Sequence, residues 1–110
     1  RTAAAVPSRI GAVCSYHGGG LVTNGEDSPH LLIPNMKADF LIAIAENDDK
    51  REPETKTVLR DTFNKYSLEA EIKVYEGAMH GWCVLDSRVY NQEAAEKAWS
   101  RTLNLFNHSL

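Results

Sequence analysis

One run constrains the fold of this chain more than any other. Ala38 to Ala45 (Ala-Asp-Phe-Leu-Ile-Ala-Ile-Ala) is continuously apolar after Asp39 and is bounded by polar loops. It is far too short to cross a bilayer, which takes about 20 apolar residues in a helix. A run of this length without alternation suits a strand covered on both faces, and such strands belong to parallel sheets flanked by helices. The run leads directly into Glu46-Asn47-Asp48-Asp49. Open α/β folds gather their ligand sites at the carboxyl ends of the strands, so this acidic loop is a candidate functional position.

The rest of the chain reads as the partners of that strand. Residues 1 to 6 resemble the tail of a helix that Pro7 stops. Arg9 to Tyr16 is a short, mostly apolar run closed by Gly18-Gly19-Gly20 and suits a buried strand, with the glycines serving a sharp exit. Leu21 to Pro34 is dense in turn residues and leaves room for one helical turn around His30 to Ile33. Glu52-Pro53-Glu54 starts a helix whose buried stripe is Val58, Leu59, Thr62, Phe63 and Tyr66. Leu68 to Tyr75 alternates, with Ala70, Ile72 and Val74 on one side, as a strand at a sheet edge does. Asn91 or Ser87 caps a last helix with Ala94, Ala95, Ala98, Trp99, Thr102, Leu103 and Phe106 on one face. Strands alternating with helices predict one α/β domain over residues 1–110, with about three parallel strands flanked by helices.

Composition excludes several function classes. A formal net charge of −3 with acids and bases interspersed gives no polybasic face for nucleic acid or a membrane surface. Cys14 and Cys83 lie far apart and in no metal or redox spacing, which predicts reduced thiols and a cytoplasmic protein. The histidines have no regular ligand spacing, so neither a metal nor another cofactor is expected. A first residue of Arg1 rather than Met is what a trimmed or partial chain would show.

The stretch that carries chemistry is Glu76-Gly77-Ala78-Met79-His80-Gly81-Trp82, directly after the strand that ends at Tyr75. Taken singly, Asp48 is also what a solvated loop acid looks like, and His80 what a turn residue looks like. Together they place an acid and then a histidine after two strands of one sheet, the chain order of an α/β-hydrolase triad. Arg9-Ile-Gly-Ala-Val, Ser15-Tyr16-His17-Gly18-Gly19, Ala45-Glu46-Asn47-Asp48-Asp49 and Glu71 to Trp82 resemble the carboxyl-terminal half of the dienelactone hydrolase family. The resemblance runs over nearly the whole chain.

That resemblance implies a partial α/β-hydrolase fold and a parent enzyme that cleaves esters or lactones with a Cys-His-Asp triad. It maps the histidine to His80 and the acid to Asp48, with Asp49 as the other candidate, and it has Tyr16 and His17 line the substrate pocket, where the sequence His80-Gly81-Trp82 itself adds Trp82 as a wall beside the imidazole. The family's nucleophile sits in a Gly-x-Cys-x-Gly elbow, and no such elbow occurs here. Cys14, flanked by Val13 and Ser15, reads as a buried strand cysteine, and Cys83 reads the same way. His17-Gly18-Gly19-Gly20 matches a lipase-type oxyanion motif as a string but would have to precede an elbow. Two functions remain open: a truncated hydrolase domain, inactive alone, and a non-catalytic binding or self-assembly module derived from that fold. A strand at residues 9–16 without its elbow-bearing neighbour would expose an edge, so a homodimer through that strand or through helix faces is expected.

Overall fold

The computed structural model describes residues 1–110. Its centre is β2, Asp39–Ala45, paired in parallel on one side with β1, Ala12–Ser15, and on the other with β3, Ala70–Tyr75. The sheet order is β1-β2-β3, with Val13 opposite Phe40 and Ile42 opposite Ile72. β2 is thus the covered central strand expected from its apolar run, and Leu41, Ala43 and Ala45 are at most 2% exposed.

Helices lie on both faces. On one face Phe40, Ile42 and Ile72 pack with Ala3 of α1 (Thr2–Ala5), Ile33 of the 3₁₀ segment Pro29–Asn35, and Leu59 and Phe63 of α3 (Glu54–Lys65). The Phe40 and Phe63 rings lie 4.6 Å apart. On the other face Ala43, Ala45, Tyr75, Ala78 and Trp82 meet Ala94 and Ala98 of α4, Gln92–Ser109. Alanine on both sides of that contact lets α4 lie close to β2. Asn91 caps α4, its side chain accepting from the Ala94 N–H at 3.0 Å. No helix is long and apolar enough to cross a membrane.

Several elements differ from their sequence-based bounds. The first strand starts at Ala12, because Pro7–Arg9 forms a 3₁₀ turn. Cys14 is half-buried rather than buried, since β1 is an edge strand. The acidic stretch after β2 is a short helix, α2 (Glu46–Arg51), with acids in its first turn and Lys50 and Arg51 in its last, as the helix dipole favours. Six residues are too few to display a helical period. Tyr66 ends α3 at 40% exposure instead of joining its buried stripe, which narrows to Leu59 and Phe63.

The larger correction concerns α4. Only Ala94, Ala98 and Thr102 of its predicted face are buried, whereas Trp99 is 58%, Leu103 45% and Phe106 39% exposed. The expected face is really two adjacent stripes. The small residues meet the sheet, and the large ones look away from it.

Phe63→Ala removes a ring from the centre of the α3-side core, so it should destabilise the fold by about 3–5 kcal/mol. Urea unfolding followed by circular dichroism measures this as a lowered midpoint at unchanged slope.

Candidate active site

The sheet delivers two loops to the same edge. α2 leaves the end of β2, and the turn-rich segment 76–91 leaves the end of β3. A backbone bond joins them at their roots: the Glu46 N–H donates to the Ala78 carbonyl at 2.8 Å. Gly77 and Gly81, at φ +77° and +101°, take left-handed conformations that a side chain would strain. These glycines turn the chain sharply on each side of His80. Asn91 then holds the far end, its N–H donating to the Trp82 carbonyl at 3.0 Å.

Within this frame His80 Nδ1 lies 2.7 Å from Asp48 Oδ2. A carboxylate only accepts, so Nδ1 carries the proton and the lone pair of the neutral ring is on Nε2. No hydroxyl, thiol or carboxylate of the chain hydrogen-bonds that nitrogen. Asp48 is the more enclosed partner, with its side chain 16% exposed against 48% for His80. Arg51 donates to its other oxygen at 2.6 Å and so fixes the carboxylate plane. Asp49, the other candidate acid, instead pairs with Lys56 Nζ at 2.7 Å and is not bonded to His80.

Sequence reasoning missed two supports. Asn47 Oδ1 accepts the His80 N–H at 3.0 Å, tying the histidine's backbone to the helix that carries its acid. Arg51 is the second. Asn47 lies in the acidic stretch already singled out, but its role depends on α2 being helical.

His17 stands beside the pair, its ring centroid 5.5 Å from that of His80 and 4.9 Å, edge-on, from that of Trp82. Its Nε2 accepts the Cys83 N–H at 3.5 Å. Burial first, and the neighbouring His80 second, hold its pKa below the ordinary histidine value, with Asp48 pulling the other way. The remaining expected pocket residues lie deeper. Trp82 is fully buried and stacks on Tyr75 at 5.6 Å, so it is not a wall that a ligand touches but the floor under His17. Tyr16 hydrogen-bonds the Thr102 hydroxyl of α4, and burial raises its pKa.

Neither cysteine has the surroundings of a nucleophile. Burial pushes the Cys83 thiol up, whereas an activated thiol needs a lowered pKa. Cys14 is on β1, directed with its register partner Leu41 to the α4 side of the sheet.

A lowered native pKa means that the unfolded chain binds more protons than the folded one as His17 titrates. His17 therefore favours the fold above pH about 6.5, and this contribution is lost as pH falls through its native pKa. NMR titration of the imidazole resonances should find His17 below the ordinary histidine value. His80→Ala should raise its pKa and Asp48→Asn should lower it further.

Comparison with known proteins bears on the family and the fold. The model of the dienelactone hydrolase family matches residues 1–110. A stretch of 37 residues is 49% identical to a curated Saccharolobus solfataricus protein named "Putative carboxymethylenebutenolidase", covering 34% of this chain and 14% of that one. A solved Klebsiella pneumoniae structure titled as a "Putative Dienelactone Hydrolase" superposes with a TM-score of 0.81 at 24% identity, over 96% of this chain and 45% of its own. At that identity the superposition speaks for the fold. The chain spans less than half the length of either relative. Since the family match covers every residue of the sheet, the two loops and α4, the chain belongs to the dienelactone hydrolase family.

Proposed function

We propose that these 110 residues are the acid–base half of an ester or lactone hydrolase with a Cys-His-Asp triad, in which His80 is the base and Asp48 its orienting acid. The observation that carries the reading is the 2.7 Å bond from His80 Nδ1 to Asp48 beside an unpartnered Nε2. In this mechanism Nε2 takes the proton of the attacking thiol as its sulfur adds to the substrate carbonyl. The imidazolium, stabilised by Asp48, then gives that proton to the departing alkoxide oxygen. An acyl thioester remains, and a water deprotonated by the same Nε2 hydrolyses it, returning the thiol and a carboxylic acid.

The nucleophile and the oxyanion donors come from outside this chain, since no Gly-x-Cys-x-Gly elbow occurs in it and Cys83 is the opposite of activated. His17 borders the substrate, with Trp82 packed beneath it and Tyr16 tied to α4 through Thr102. The free thiols of Cys14 and Cys83 suit a cytoplasmic setting.

The chain alone should turn over p-nitrophenyl acetate no faster than free imidazole does. Mixed with the elbow-bearing half of a dienelactone hydrolase, it should gain turnover that is lost in His80→Ala. A complex that forms but gains no His80-dependent turnover overturns the reading.

A second reading rests on a separate observation. The edge of β1 away from β2 is unpaired, and Trp99, Leu103 and Phe106 form an exposed apolar stripe on α4. Both features favour a self-assembling, non-catalytic module, with a second copy covering the stripe. Val13 packs into the α3-side core, so a charge there would test folding as much as assembly. Trp99→Lys with Leu103→Lys is the cleaner probe. Light scattering should give twice the chain mass for the wild type and a folded monomer for the variant; a monomeric wild type removes this reading.

A further inference from the structure

The end of the sheet opposite His80 carries a second cluster of ionisable groups. Asp39 opens β2, Glu69 immediately precedes β3, and His108 lies in the last turn of α4. One donor atom from each lies within 4.8 Å of the other two. Among the molecule's groups of histidine, cysteine and carboxylate side chains, this is the one with three possible ligands in such proximity. We propose that Asp39, Glu69 and His108 bind a divalent transition-metal ion of the zinc class.

Local geometry supports this in four ways. His108 Nε2 is 3.1 Å from Glu69 Oε2, close to the roughly 3–3.5 Å that separates neighbouring ligands around zinc at bond lengths of about 2.0–2.2 Å. Asp39 is oriented by an outer partner, since Ser109 Oγ donates to its Oδ2 at 2.6 Å and leaves Oδ1 free. The carbonyl end of α4 adds the negative end of a helix dipole beside two carboxylates that repel each other. Finally, the end of α4 lies against the entry to β1: a Cβ at Gly11, one residue before that strand, would stand 3.4 Å from the Ser109 carbonyl oxygen and 2.8 Å from the Leu110 side chain. The ligands therefore sit on elements held in fixed relation.

The donor set decides the kind of ion. One imidazole and two carboxylates suit zinc or cobalt, whereas magnesium and calcium prefer oxygen throughout. The side chains of Glu69 and His108 are 72% and 67% exposed, so they close on an ion by rotation without moving backbone. Three protein ligands leave a position of a four-coordinate ion open. Glu69 and His108 also border a cleft of about 610 Å³, lined further by Phe40, Leu68, Arg101 and Asn104. That open position is available to water or a small anion in the cleft. The ion would join the starts of β2 and β3 to the end of α4, away from the His80 edge, and the inference does not depend on hydrolase activity.

The test is zinc chloride titrated into the full chain by calorimetry at pH about 7.5, since protons compete with a metal for its ligands. Visible absorption of cobalt(II) gives an independent spectroscopic reading. We expect saturable one-to-one binding, weakened at least about tenfold in His108→Ala and in Glu69→Gln and unchanged in His80→Ala. Circular dichroism checks that each variant is folded; Glu69, being exposed, carries the test should His108→Ala fail to fold. No saturation at millimolar zinc overturns the proposal. Binding that survives in both His108→Ala and Glu69→Gln, or that disappears in His80→Ala, also overturns it.

Discussion

Everything in this molecule hangs on β2 being taken out of water on both faces and paired along both edges. Its alternate side chains feed two separate cores, Phe40 and Ile42 toward α3, Ala43 and Ala45 toward α4. Burial of backbone on this scale needs hydrogen-bond partners, and β3 supplies them from Phe40 to Ala45 and β1 from Asp39 to Ile42. The strand's end is thereby a fixed point. Glu46, the first residue beyond it, donates to Ala78 and draws the histidine segment against the acidic helix.

The electrostatic character of the candidate site follows from that anchoring. Asp48 is held from one side by Arg51 and receives His80 on the other, while Asn47 fixes the histidine's main chain. The acid and the imidazole are each oriented by groups on neighbouring turns, as a proton-transfer pair must be to work without rearrangement. His17, half-buried and beside the His80 ring, has its pKa held below the ordinary histidine value by burial first and by His80 second. A positive charge on either ring would repel one on the other.

What the sequence disclosed was what it expresses as pattern. The apolar run of β2, the alternation of β3 and the order of acid before histidine were legible because each is a local regularity. The helix over Glu46–Arg51 was not, being too short to show a period, and with it the roles of Asn47 and Arg51 stayed hidden. The choice between Asp48 and Asp49 as the partner of His80 needed the helix rotation, which sends Asp49 to Lys56. α4 misled for another reason. Periodicity marks apolar residues as neighbours, but it does not say which of two adjoining stripes meets the sheet. Alanine met it here, since close approach to Ala43 and Ala45 favours small side chains, and Trp99 was left outside. Trp82 erred in the opposite direction, reading as a pocket wall beside His80 and lying instead beneath His17.

That placement gives the two indoles separate voices. Trp82 emits from a dry interior, with a tyrosine on its face and the His17 ring at its edge, while Trp99 is bathed in solvent. Their spectra should differ in colour, the buried ring to the blue of the exposed one. An imidazole that gains a proton drains the excited state of an indole beside it, so the brightness of the blue component follows the charge on His17. The molecule thus carries an intrinsic optical gauge at the floor of its candidate site.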